Sequence, residues 1–277
     1  MAGTPTVVLI TGASSGFGKA CADYLAQRGY RVFGTSRRPA PAGLPFTMLP
    51  MDVCDDASVQ RGVQAVLEQA GRIDVVVNNA GMGIAGSVED TSIEEARIQM
   101  ETNFMGTFRV CQAVLSTMRA QRAGKIINIS SIAGQVGIPY QALYSASKYA
   151  VEGLSEALRL EVKPWGVRVV LVEPGDAHTA FTDHRSRAAA SAQNPDYAKA
   201  LDNALGVMER DERNGFSPVR LAQAVERIIR TPNPRLRYVV APLPEAAAIA
   251  LKRWLPWAVF EWAIPLYYRC GRKECGL

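Results

Sequence analysis

The segment "VVLITGASSGFGKA", residues 7–20, decides the fold. Val7 to Ile10 form an apolar run of strand length, which stops at a turn carrying Gly12, Gly16 and Gly18 before apolar residues resume at helical spacing. A strand that ends in glycines and passes straight into a helix gathers backbone N–H groups at the helix start, where they can hold a phosphate. Gly12, Ser14, Ser15, Gly16, Phe17 and Gly18 are therefore the expected phosphate-binding turn. The spacing G-x-x-x-G-x-G is not that of a triphosphate-hydrolysing loop. Ala13 stands where the first glycine of such a loop belongs, and Ala20 replaces the Ser or Thr that would bind magnesium.

Outward from this turn, strand-length runs recur at 7–10, 30–36, 46–52, 74–78, 125–130, 167–173 and 236–241. Most are continuous β-branched stretches such as "DVVVN" and "VRVVLVE", the pattern of parallel strands buried on both faces. Between them, 16–28, 56–70, 92–120, 142–163 and 218–230 space their apolar residues as helices do. The alternation predicts an α/β fold: a single-domain, Rossmann-like, doubly wound sheet of about seven parallel strands. No repeat or linker divides residues 1–277. Two parts stand outside the alternation, a long connection at 176–217 and an extension at 242–277.

Composition narrows the function classes. With 31 Lys and Arg against 26 Asp and Glu, the net charge of +5 is mild and not gathered into basic blocks, so no nucleic acid is expected as a partner. The five cysteines, Cys21, Cys54, Cys111, Cys270 and Cys275, form neither a CxxC pair nor a Cys/His cluster, which predicts no metal site and reduced thiols in a cytoplasmic protein. "MAGTPTVVLITG" lacks the pattern of a signal peptide.

The second predicted strand ends in "GTSRR". Where a carboxylate would accept hydrogen bonds from the ribose of NAD, Ser36, Arg37 and Arg38 stand instead, which favours the 2′-phosphate of NADP(H). Asp52 and Val53, after the third strand, are placed to meet an adenine edge. Farther along, "YSASK" (144–148) sets Tyr144 and Lys148 four residues apart on one helix face. A free phenol titrates near 10, and a neighbouring ammonium is expected to lower that value toward the range useful for acid–base work.

With "TGASSGFG", "NNAG" at 78–81, "NISS" at 128–131 and "YSASK" in this order, the chain resembles the classical short-chain dehydrogenases/reductases from about residue 5 to 180. The resemblance implies that Tyr144 exchanges the proton at the substrate oxygen, and that Lys148 binds the nicotinamide ribose and tunes the tyrosine. It implies that Ser131 hydrogen-bonds the carbonyl or alkoxide, and that Asn103 helps hold a water linked to Lys148. By the same resemblance Asn79, Ala80 and Gly81 line the adenosine ribose and support the sheet, while Pro174, Gly175 and Thr179 border the nicotinamide. A homodimer or tetramer through the helices at 92–120 and 142–163 is implied as well.

The connection 176–217 falls where this family places its substrate loop, with Phe181, Tyr197, Leu205 and Met208 as a candidate apolar wall and His178 and His184 as polar surface. In the extension, Trp254, Phe260, Trp257, Trp262, Tyr267 and Tyr268 lie among Lys252, Arg253, Arg269, Arg272 and Lys273. Its uncharged runs are too short to span a bilayer, and Pro256 and Pro265 are expected to break it into two short helices. An interfacial membrane anchor, a lid over an apolar substrate and a flap or dimer contact all stay open. The extension resembles that of the steroid- and retinol-handling branch, which implies a small hydrophobic carbonyl or alcohol as substrate. The rivals are a 3-oxoacyl or polyketide-type carbonyl reductase, and a non-catalytic NADP-binding sensor or membrane-associated scaffold.

Overall fold

All seven predicted strands enter one parallel sheet in the computed structural model, which describes residues 5–38, 41–252 and 254–271. They are β1 (Val7–Ile10), β2 (Arg31–Ser36), β3 (Thr47–Pro50), β4 (Val75–Asn78), β6 (Gly124–Ile129), β7 (Val167–Pro174) and β9 (Arg237–Val240). Their order is β3-β2-β1-β4-β6-β7-β9. Two further strands, β5 (Ile84–Ala85) and β8 (Ser186–Arg187), pair only with each other and were not visible as apolar runs. Winding reverses between β1 and β4, so the crevice that receives ligands in open α/β sheets lies at the carboxyl ends of these two strands.

Side chains alternate between the two faces of each strand, and both faces are buried. Val7, Leu9, Val76 and Ile126 join one apolar layer under α2 (Asp56–Ala70), α4 (Gly106–Gln121) and α5 (Ala142–Val162). Val8, Ile10, Val75, Val77 and Ile127 join the other, under α1 (Gly16–Ala26) and α8 (Pro218–Arg230). Cys21 and Cys111 are interior, and burial pushes both thiols up to about 12.

A polar seam crosses this apolar interior. Asn78 and Asn128 are register partners on β4 and β6, and Asn78 Nδ2 donates to Asn128 Oδ1 at 2.8 Å. Asn128 Nδ2 donates in turn to Ser155 Oγ at 2.8 Å, and that hydroxyl donates to the Val151 carbonyl at 2.7 Å. The seam fixes how α5 is rotated over the sheet.

The predicted helix at 92–120 is interrupted. α3 (Ile93–Met100) and α4 are joined by a π-helical turn, Glu101–Met105. Most of the 176–217 connection is helical, with α6 (Phe181–His184) and α7 (Pro195–Arg213). Its far end is pinned beside β7, where Phe216 and Ala177 form a β-bridge. The extension supplies α9 (Leu243–Lys252) and α10 (Trp257–Tyr267). Pro256 separates them as expected, but Pro265 sits inside α10. Its missing N–H deprives the carbonyl of Glu261, one turn earlier at an exposed position, of its helical donor. The helix then closes through Arg269 (φ 53°), with Cys270 N–H donating to the Pro265 carbonyl at 3.0 Å. Pro39, Arg253, Arg272, Lys273 and Cys275 lie outside the described residues.

Asn128→Ala removes the acceptor of the Asn78 amide and the donor to the Ser155 hydroxyl, both in the interior. It should cost about 2–3 kcal/mol, read as a lower guanidinium midpoint by circular dichroism; an unchanged midpoint contradicts the role given to the seam.

Candidate active site

The glycine turn is closed from behind. Asn79 Nδ2 donates to the carbonyls of Thr11 (2.9 Å) and Gly12 (3.2 Å), while Thr11 Oγ1 accepts the N–H groups of Asn79 (2.9 Å) and Ala80 (3.0 Å). Gly12 and Gly16 hold left-handed φ of 66° and 53°, and a Cβ on Gly18 would run into the Gly12 carbonyl oxygen. These contacts lay the start of α1 across the crevice. Ser14 is exposed and Ser15 makes no side-chain cap bond, which leaves both hydroxyls for a phosphate. The Phe17 ring stacks on Phe216 at 6.0 Å between centroids, so its contribution to the turn is its backbone. Thr179 faces Gly16 across the crevice.

Arg37 and Arg38 are exposed at the mouth of the crevice beyond buried Ser36, whose hydroxyl accepts the Arg38 N–H at 3.0 Å. One Asp52 carboxylate oxygen accepts the Cys54 N–H at 3.0 Å, and Val53 packs near Gly106. The cap of α2 is Asp55, not Asp52. Cradle, hydroxyls and arginines thus fit a phosphorylated dinucleotide.

At the other end of the crevice, Ser131, Tyr144 and Lys148 converge. Ser131 ends the extended chain after β6, its hydroxyl accepting the Ala133 N–H at 3.1 Å, and it is hydrogen-bonded to Tyr144. Lys148, 6% exposed, donates to the Ile129 carbonyl at 2.9 Å and lies 5.8 Å from the centre of the Tyr144 ring. Asn103 sits in the π-helical turn. Its amide donates to the Met82 carbonyl (3.0 Å) and Ser147 Oγ (3.0 Å), and its carbonyl accepts the Met82 N–H (2.9 Å). Both ends of the carboxamide are thus occupied by protein groups, which ties the segment after β4 to α5. Gln99, one turn earlier, does likewise: it accepts the Ile84 N–H and donates to the Met82 carbonyl, both at 2.8 Å. Sequence reasoning missed Gln99; a glutamine four residues before Asn103 was the available signal.

The charge balance differs from the expectation drawn from spacing. Burial pushes the Tyr144 phenol up to about 12, opposed by the hydrogen bond with Ser131, and burial pulls Lys148 down to about 8, opposed by Glu152. Both side chains share a helix face, but that face points inward, where losing water penalises each charged form. Tyr144 is therefore fully protonated at neutral pH in the free protein, the state suited to donating a proton.

Ser131, Tyr144 and Lys148 line one cavity of about 990 Å³ together with the glycine turn, Arg37 and Arg38, whereas Asn103 and Gln99 are not in its lining. Its far wall is apolar: Phe181, whose ring lies 5.7 Å from that of Tyr144, with Met208, Ile249, Phe260, Ile264 and Tyr268. The extension therefore covers the cavity. Of the other expected wall residues, Leu205 is buried in a cluster with Ala85 and Leu201, and Tyr197 turns to Glu89 at 3.0 Å. Leu243 on α9, Trp254 in the turn after it (85% exposed), and Trp257 and Trp262 (70%) on α10 are exposed to solvent. His178 and His184 are exposed.

Tyr144→Phe should lower turnover by about 10²–10⁴-fold while cofactor binding, followed by fluorescence, persists. Because the Lys148 ammonium is lost above about 8, kcat/KM for carbonyl reduction should fall as pH rises past that value. Stability should move the opposite way. The unfolded chain holds this proton up to the ordinary 10.5, so the wild type gains on Lys148→Met between about 8 and 10.5, by up to about 3 kcal/mol.

Residues 6–190 match the family model described as short chain dehydrogenase. The chain is 48% identical over 264 residues to a 3-ketodihydrosphingosine reductase of Bacteroides thetaiotaomicron, covering 95% of this chain and 98% of that one. It is 32% identical over 257 residues to retinol dehydrogenase 8 of Bos taurus, covering 86% and 82%, a weaker likeness. The crystal structure of a short-chain dehydrogenase from Streptomyces avermitilis superposes with a TM-score of 0.77 at 33% identity, covering 90% and 96%. The chain therefore belongs to the short-chain dehydrogenase/reductase family, as an enzyme that interconverts an alcohol and a carbonyl with a nicotinamide cofactor.

Proposed function

We propose that this enzyme is an NADPH-dependent reductase of a long-chain 2-amino-3-ketone of the 3-ketodihydrosphingosine type. The observation that carries the reading is the single cavity that joins Tyr144 and Ser131 to an apolar wall built by α9 and α10. The name and near full-length similarity of the Bacteroides relative support the same substrate class, a lipid ketone, over retinoids and steroids.

In this reading the turn from Gly12 to Gly18 holds the pyrophosphate, and Ser36, Arg37 and Arg38 hold the 2′-phosphate. Asp52 and Val53 meet the adenine, Asn79 to Gly81 the adenosine ribose, Lys148 the nicotinamide ribose, and Pro174, Gly175 and Thr179 the nicotinamide. A reduced dinucleotide held by these residues would supply the hydride that the carbonyl carbon takes up. Ser131 and Tyr144 donate hydrogen bonds to the carbonyl oxygen as negative charge develops there, and Tyr144 gives up its proton to that oxygen. Lys148, while protonated, lowers the cost of the phenolate that remains. Asn103 and Gln99 keep the floor of the site in place.

The exposed tryptophans of the extension support a second element of the reading, peripheral contact with a membrane surface from which a lipophilic substrate reaches the cavity. No helix among the described residues is long and apolar enough to cross a membrane. Exposed Phe108 on α4 and Leu160 on α5 support a dimer through those helices.

NADPH consumption with 3-ketodihydrosphingosine, retinal, steroid ketones and 3-oxoacyl thioesters tests the substrate. Turnover confined to the amino ketone is expected, and turnover confined to thioesters overturns the reading. Replacing Arg37 and Arg38 together by alanine should shift the NADPH/NADH preference tenfold or more toward NADH, since a charge-assisted hydrogen bond is worth about 1.5–3 kcal/mol. Deleting residues 243–277 should abolish co-sedimentation with liposomes and raise KM for long-chain ketones far more than for short ones. Equal effects on both chain lengths count against the lid.

A further inference from the structure

One charged side chain in the cavity has no part in the chemistry described so far. Asp176 follows Gly175 at the end of β7, and its backbone is held on both sides. Its N–H donates to Glu245 Oε2 of α9 at 3.0 Å, and its carbonyl accepts the Phe216 N–H at 3.2 Å. Glu245 reaches this position because residue 175 is a glycine: a Cβ there would occupy the place of the carboxylate oxygen. Asp176, Glu245 and Glu212 all line the cavity that contains Tyr144. Asp176 and Glu212 both act electrostatically on the Tyr144 phenol across this shared cavity.

The acidic groups around Asp176 are satisfied from within the protein. Glu212 is paired with Arg185 and receives the Thr182 hydroxyl at 2.7 Å. Asp211 receives the Tyr267 hydroxyl at 2.6 Å and the Arg210 guanidinium at 2.8 Å. Glu245 takes the Asp176 N–H. The Asp176 carboxylate itself has no hydrogen bond or ion pair among the described residues. Burial, then Glu245, Glu212 and Asp211, push its carboxyl up to about 8, opposed by Arg185. A carboxyl in this setting gains most from a cation that arrives with the substrate and pairs with it inside the cavity. A neutral ketone offers nothing of the kind. A ketone with an ammonium on the adjacent carbon offers it two bonds from the reacting carbonyl carbon, inside the cavity that Tyr144 and Asp176 both line.

We propose that Asp176 is the specificity-determining residue for a cationic substrate, its carboxylate accepting the ammonium on the carbon next to the carbonyl while Glu245 holds the Asp176 backbone in position. The inference rests on the amino-ketone reading above and adds to it the residue that tells an amine from its neutral analogue. Leu171 to Glu173 and the cofactor cradle are untouched by the assignment, so the hydride chemistry is common to both kinds of ketone and only the preference between them depends on Asp176.

The test compares kcat/KM for 3-ketodihydrosphingosine, its N-acetyl derivative and the 1-hydroxy-3-ketone of equal chain length lacking nitrogen. In the wild type the free amine should be preferred over both neutral ketones by at least tenfold. In Asp176→Asn that preference ratio should fall by at least tenfold, with Asp176→Glu restoring part of it and NADPH binding serving as the check that each variant is folded. If both kinds of ketone change equally in Asp176→Asn, or neither changes, the assignment of Asp176 is overturned while the amino-ketone reading stands. If the wild type reduces the free amine and the N-acetyl ketone equally well, the assignment is overturned without any variant. If the wild type reduces neutral ketones and rejects the free amine, the amino-ketone reading falls and takes this inference with it.

Discussion

The amide of Asn79 and the hydroxyl of Thr11 make four hydrogen bonds that stitch the loop after β4 to the turn after β1. A doubly wound sheet opens a crevice at this point by topology alone, but topology does not say how wide it is or which backbone groups face into it. The seam sets both. It holds the Gly12 carbonyl inward, so that Gly18 must pass it without a side chain, and α1 starts where its first N–H groups face the crevice. The segment 82–84 is held just as closely by Gln99 and Asn103, and through Asn103 the same chain of bonds reaches Ser147 on the helix that carries Tyr144 and Lys148. The phosphate end and the chemical end of the site are thus both anchored on the segment 79–84, each by its own set of polar contacts.

Buried polar groups of this kind are costly unless every one is paired, which explains why the interior of the enzyme holds so many short amide and hydroxyl side chains among valines and isoleucines. The cost persists at Tyr144 and Lys148. Their shifts, up for the phenol and down for the ammonium, come first from burial. The site keeps its proton donor neutral and its cation charged only up to about 8 until a ligand changes the field around them.

The strands were legible because parallel strands buried on both faces leave continuous β-branched runs, and "DVVVN" or "VRVVLVE" can hardly be read otherwise. Tyr144 and Lys148 were legible because helical spacing is local. Other features depend on partners far away in sequence. Nothing near Gly175 announces that Glu245 will lie against it, and nothing near Asp211 announces Tyr267. The sign of the Tyr144 shift was misjudged for the same reason: the pair was visible, but its burial under Phe181 and the extension was not. Tyr197 and Leu205 show the limit of composition as a guide, since apolar residues on one helix divide between cavity, core and surface according to which way α7 is turned.

The π-helical turn at Glu101–Met105 has a consequence for how this enzyme can change over evolutionary time. Such a turn amounts to one residue more than a regular helix would need. Removing a residue there would produce a smoother rod with better backbone geometry, and it would also rotate everything upstream by about 100° relative to everything downstream. Gln99 would then swing away from the chain it clasps while α4 stayed in its groove. The irregularity is thus a phase shifter between a half-helix that packs on the sheet and a half-helix that grips the active-site floor, and lineages of this chain should tolerate substitutions around it far more readily than changes in length.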